Sequence, residues 1–283
     1  MIEIWYRIVE LLPFAWVEYD FMKNALLAVL VVTPCFGLAG TMVVANRMAF
    51  FSDVIGHSSL CGIAIGMLLG MIDVRPAMIL FAVFLAILMN VFLEVSGAAN
   101  DTVIGIILAA TTALGVAILS RGGSFSRYSD LIIGNILSVR TQEIGFLFIV
   151  FSAVIIFWIF FASSLALMSV EPSLVYDRVI SPFLVRTLFT ILIAVLVILS
   201  IRWIGVLIVN ALFIIPAATS RLWARSLREY YLYSVLLSVV SGVAGLIMSF
   251  YTGSAGGAAI VLCSVTLYIL GIAGKTVMKS LSR

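Results

Sequence analysis

With 64% of its 283 residues hydrophobic, only 10% charged and a net charge of +3, the chain cannot be a soluble globular domain, in which about a quarter of residues are charged. A mean hydropathy of +1.28 and long apolar blocks point to an all-α, polytopic membrane protein; the short alternating segments of a β-barrel are absent. No basic block is present to bind nucleic acid, and the three cysteines, Cys35, Cys61 and Cys263, lie inside apolar stretches, against a disulfide framework.

In chain order, residues 2–20 come first. They are rich in Trp, Tyr, Leu and Glu, and residues 1–24 read as an interfacial N-terminal segment. Glu3, Glu10, Glu18 and Asp20 interrupt the segment, which argues against a secretory signal. Spans are then expected at 25–45, 53–70, 76–93, 102–119, 144–162, 183–200, 203–220, 232–250 and 257–273, about nine in all. The basic cluster Arg221, Arg225 and Arg228 and the tail Lys275, Lys279 and Arg283 set one side as cytoplasmic, which puts the N-terminus outside. Arg121, Arg127 and Arg140 in the external segment run against that rule.

The span at 53–70 carries Asp53 and, four residues on, His57, the chain's only histidine. Positions i and i+4 share a helix face, and a carboxylate and an imidazole on one face can grip a divalent metal ion. Ionisable side chains are costly in lipid and mark functional sites there. The competing reading is an Asp–His hydrogen bond that only steadies helix packing. Cys61, one turn further, is either a third, soft ligand or an inert core residue. A closed zinc site takes about four ligands, so two copies related by a two-fold axis would complete one from two Asp and two His. Gly62, Gly66 and Gly70 form a ladder of small residues suited to close helix packing.

Two connections are long. Segment 120–143 contains Gly134-Asn135-Ile136-Leu137-Ser138-Val139, with the look of short half-helices. Segment 163–182 contains Glu171, Pro172, Ser173, Tyr176, Asp177 and Arg178; it reads as a short cytoplasmic helix starting at Pro172, or as an ordinary polar loop. Further on, Gly205 and Pro216 punctuate the span at 203–220.

Enzymatic readings fail one by one. Gly274-Lys275-Thr276 resembles the end of a phosphate-binding loop, but Ile269 stands where that motif needs glycine. There is no H-E-x-x-H sequence and no nucleophile elbow, so any ATP hydrolysis falls to another chain.

Several stretches together resemble the permease subunit of bacterial zinc, manganese and iron ABC importers, most of all the ZnuB-like type. They are Arg47 with Ser52-Asp53, His57-Ser58 and Leu60-Cys61-Gly62; Asp101-Thr102-Val103-Ile104-Gly105-Ile106; Gly134 to Val139; and Gly205 to Arg221, above all Ile214-Ile215-Pro216-Ala217-Ala218-Thr219-Ser220-Arg221. The likeness covers nearly everything from residue 25 onward. It implies a single transmembrane permease domain over 1–283, with the fold of vitamin B12 and siderophore importers, in the bacterial cytoplasmic (inner) membrane. It implies a homodimer or paired permease, cytoplasmic ABC ATPase subunits and an extracytoplasmic metal-binding protein. Asp53 and His57 would line the path of the transported Zn2+, Mn2+ or Fe2+, with no bound cofactor. Residues 163–182, including Glu171, Pro172, Ser173, Tyr176, Asp177 and Arg178, would dock on the ATPase. The chain departs from the family pattern at Val175 and Val179, and at Thr252-Gly253-Ser254-Ala255-Gly256-Gly257, which lacks the usual Asp and Pro. The rival readings are a permease for a metal chelate or cobalamin-like substrate, and a membrane receptor component that does not transport.

Overall fold

The computed structural model describes residues 2–11, 13–121, 134, 139, 141–170 and 181–281. Among them are ten α-helices, one 3-10 turn and no strand. The helices are α1 (Ile2–Glu10), α2 (Asp20–Ala45), α3 (Phe51–Leu68), α4 (Arg75–Ser96), α5 (Asn100–Arg121), α6 (Thr141–Val170), α7 (Pro182–Ile204), α8 (Val206–Trp223), α9 (Leu227–Thr252) and α10 (Gly256–Leu281), with the turn at Ala15–Glu18. Eight of the helices are long and apolar enough to cross a membrane; the remaining expected span, 203–220, is the shorter apolar helix α8.

Boundaries follow local chemistry. Ser181 caps α7, its side chain accepting from Leu184 N ahead of Pro182 in the first turn. Ser226 caps α9 in the same way, and Glu229 accepts from Arg225 N at 2.8 Å. α2 ends on Arg47, whose φ is 56°, with Met48 N bonded back to Val43 O at 2.9 Å. That is the helix-ending bond pattern usually given to glycine at the left-handed position. α6 is described as far as Val170, so residues 163–170 of the expected 163–182 segment belong to a long helix. Glu171, Pro172, Ser173, Tyr176, Asp177 and Arg178 lie outside the described residues, as do Asn135–Ser138 of the Gly134 motif.

The chain packs as two compact units, each assembled from separated stretches. The first comprises Met1–Thr41, Asn135–Ile155 and Ala211–Arg283; the second comprises Met42–Gly134 and Ile156–Asn210.

In the first unit, α1 is fastened to the start of α2. Trp5 Nε1 donates to Lys23 O at 2.9 Å and Tyr6 OH to Asn24 Oδ1 at 2.8 Å, while the Lys23 ammonium meets Glu10 at 2.8 Å and Asp20 at 3.3 Å. α2 and α9 are joined by a row of hydroxyls, one per turn. Tyr230 OH donates to Thr41 O, Ser234 Oγ to Gly37 O and Ser238 Oγ to Thr33 O. Where water is absent, such side-chain to backbone bonds and small-residue contacts replace the hydrophobic effect as the force between helices.

The second unit is built around α3, which packs on α4, α5 and α7. Gly62 allows α4 to come close: a Cβ there would lie 2.7 Å from Met78 Cα. Gly66 lies against Ala77 and Val74. Gly70, expected as the third rung, instead leaves the helix with φ +68° and open space around it. Asn90, fully buried on α4, donates to Thr190 Oγ1 on α7 at 2.6 Å.

Candidate metal centre

α3 starts at Phe51, so Asp53 falls in its first turn and His57 in its second. Both side chains are partly exposed, at 25% and 30%, although most of α3 around them is buried. The helix holds Asp53 Oδ1 and His57 Nε2 3.4 Å apart. That is long for a hydrogen bond. It is close to the separation of two ligand atoms on one tetrahedral ion, which at bonds of about 2.0–2.1 Å comes to roughly 3.4 Å. The pair is thus spaced as two ligands of one ion could be.

A third side chain joins them, and nothing in the sequence reading singled it out. Asn210, in the second turn of α8, donates from Nδ2 to Asp53 Oδ1 at 2.6 Å. The contact depends on how closely the two helices approach. A Cβ at Gly56, between Asp53 and His57, would sit 2.5 Å from Val206 Cγ1 at the start of α8. With Val206 against Gly56 and Asn210 against Asp53, the start of α8 meets the first two turns of α3 at this place. α8 can begin there because the chain breaks at Gly205, whose φ of 83° and ψ of 158° suit a residue without Cβ. The backbone of Gly134 is set against the same Ile204–Gly205 link. The overlooked signal was an amide inside an otherwise apolar helix, which is costly in lipid unless it has a partner.

Cys61 does not join the group. It is fully buried, and Gly115 of α5 packs against its backbone. From Asp53 it is eight residues along, far enough for the helical turn of 100° per residue to carry it off the face. No group of three or more His, Cys, Asp and Glu side chains converges among the described residues. One chain thus offers a carboxylate, an imidazole and, beside them, an amide.

Three comparisons set the chain beside known proteins. The zinc uptake membrane protein ZnuB of Haemophilus influenzae is 31% identical over 262 residues, which is 90% of this chain and 97% of that protein. The manganese import permease ScaB of Streptococcus gordonii is 28% identical, over 89% of this chain and 91% of its own. Among solved structures, PsaBC of Streptococcus pneumoniae, determined in complex with Fab, superposes with a TM-score of 0.78 at 25% identity, covering 96% of this chain and 95% of that one. The family model described as ABC 3 transport family matches residues 18–275, and the chain belongs to that family.

Proposed function

We propose that this chain is the membrane-spanning permease of an ATP-driven importer, and that it forms the path for a divalent transition metal ion: zinc, manganese or iron. Membership of the ABC 3 transport family and the zinc, manganese and iron transport roles in its relatives' names support the transport class. The single observation that carries the site is the 3.4 Å spacing of Asp53 Oδ1 and His57 Nε2 on one face of α3. The chain is a multi-pass protein of the bacterial cytoplasmic membrane, and its two packing units make one permease domain.

In this reading the ion leaves water and meets Asp53 and neutral His57, which replace part of its hydration shell. Two copies of the chain around a two-fold axis supply two such pairs. ATP is hydrolysed on separate cytoplasmic subunits, an extracytoplasmic binding protein delivers the ion, and residues 171–178 receive the ATPase stroke. The permease itself makes and breaks only coordination bonds.

The test is uptake of radioactive zinc and manganese into proteoliposomes holding the permease, its ATPase and its binding protein. Asp53→Ala and His57→Ala are expected to abolish uptake while the complex still assembles. Full uptake by either variant would remove the ligand assignment. Uptake of a cobalamin or a metal chelate in place of the free ion would favour the chelate-permease reading.

A further inference from the structure

An amide facing a carboxylate has one workable orientation. A carboxylate accepts and cannot donate, so the nitrogen must point at it. Asn210 obeys this rule, with Nδ2 2.6 Å from Asp53 Oδ1. The consequence falls on the other end of the amide. Its Oδ1 is buried and has no hydrogen-bond partner among the described residues. A buried, unsatisfied carbonyl costs on the order of 1–3 kcal/mol. A helix that needed only a spacer here would carry an apolar residue, as its neighbours Val209, Ala211 and Leu212 do.

We infer that Asn210 is a ligand of the transported ion through this oxygen. The inference rests on the reading of Asp53 and His57 as the ion's site. Turning the amide half a revolution about its last side-chain bond exchanges Oδ1 and Nδ2 without moving the rest of the residue. Facing a bare carboxylate, the amide presents nitrogen; facing an ion held by that carboxylate, it must present oxygen. The oxygen then occupies the place of the nitrogen beside Asp53 Oδ1. Two oxygens on one ion with bonds of about 2.0–2.2 Å lie roughly 3 Å apart at a right angle, so the gap need open by only a few tenths of an ångström. The same side chain thus satisfies the carboxylate before the ion arrives and joins it on the ion afterwards.

The chemistry of the added donor sets a preference. Imidazole serves zinc and iron well, whereas carboxylate and carbonyl oxygens serve the harder manganese ion. An amide oxygen beside Asp53 shifts the site from one nitrogen and one oxygen per chain to one nitrogen and two oxygens. It also raises the available ligand count, which manganese, with its taste for six oxygen-rich positions, exploits more than tetrahedral zinc. Asn210 is accordingly a specificity residue that lowers discrimination against manganese.

The experiment measures binding of Mn2+ and Zn2+, each alone, to the full chain in lipid nanodiscs by equilibrium dialysis, with the Co2+ absorption spectrum as a report on coordination. Asn210→Ala is expected to weaken Mn2+ binding about tenfold or more, in the range that loss of a supporting group costs a metal site, and to weaken Zn2+ binding less. Asn210→Asp keeps the oxygen in the same place and removes the N–H donor. It is expected to bind Mn2+ at least as tightly as the native chain, with a Co2+ spectrum of unchanged coordination number. An Asn210→Asp chain as weak as Asn210→Ala would overturn the inference, because the amide would then act only as a donor to Asp53. Native binding of both ions by Asn210→Ala would overturn it equally. Asp53→Ala separates the two levels. If it binds both ions normally, the site itself is misassigned; if it binds neither while the Asn210 variants go against expectation, only the role of Asn210 falls.

Discussion

Asn210 and Asp53 stand 157 residues apart in sequence, yet the amide nitrogen of one lies 2.6 Å from the carboxylate of the other. The bond ties the first turn of α3 to the second turn of α8, at the point where Gly56 lets the helices touch. Several expected outcomes depend on that geometry and on the packing that holds it.

The first concerns Gly56. Any side chain there meets Val206 at 2.5 Å. Gly56→Val should push α8 away from α3 and destabilise the fold by about 1–3 kcal/mol, as overpacking does. Uptake should fall although Asp53, His57 and Asn210 are all present. Thermal unfolding in nanodiscs and uptake assays check both parts. A compensating Val206→Ala should recover much of each.

A second outcome follows from the ligand chemistry. Metal ions compete with protons for imidazole, and His57 is the only histidine. Zinc binding by the purified chain should weaken as the medium is taken from about pH 7.5 to about pH 5.5, through the ordinary imidazole range. His57→Gln should bind weakly at every pH and lose most of that slope. A slope unchanged in the variant would mean that another group takes up the proton.

The pair Asn90 and Thr190 offers a stability test away from the site. Their bond, 2.6 Å and fully buried, links α4 to α7. A double-mutant cycle with Asn90→Ala and Thr190→Val should give a coupling of about 0.6 kcal/mol and no more than about 1.7, the span found for bonds between helices in membranes. Metal affinity should not move.

Arg47 carries a different expectation. It holds the left-handed conformation, φ 56°, at the end of α2. A side chain in that region costs on the order of 1 kcal/mol relative to glycine. Arg47→Gly should leave unfolding temperature unchanged or raise it slightly. A large fall would show that the guanidinium makes contacts that outweigh the backbone cost.

Much of the fold was legible because a membrane span leaves a long apolar trace. The stretches read as 25–45, 53–70 and 76–93 became α2, α3 and α4, each within a few residues. That Asp53 and His57 share a face was legible because their i, i+4 spacing is local to one helix. Asn210 was not, because its partner is distant in sequence and the contact rests on how closely two helices approach. No periodicity encodes that. Gly70 misled for a related reason: three small residues at intervals of four look alike on paper, but only Gly62 and Gly66 lie within the packed part of α3. Cys61 misled because it lies one turn beyond His57; eight residues from Asp53 the helix has carried it off that face, into a buried position against α5.

The central claim is that Asp53 and His57 hold the transported ion. X-ray absorption at the zinc edge of the zinc-loaded chain, purified without a polyhistidine tag, addresses it most directly, since any imidazole seen must come from His57. The account predicts imidazole scattering with a zinc–nitrogen distance of about 2.0–2.1 Å, together with oxygen neighbours, and loss of that imidazole signal in His57→Ala. A native first shell without imidazole would contradict it.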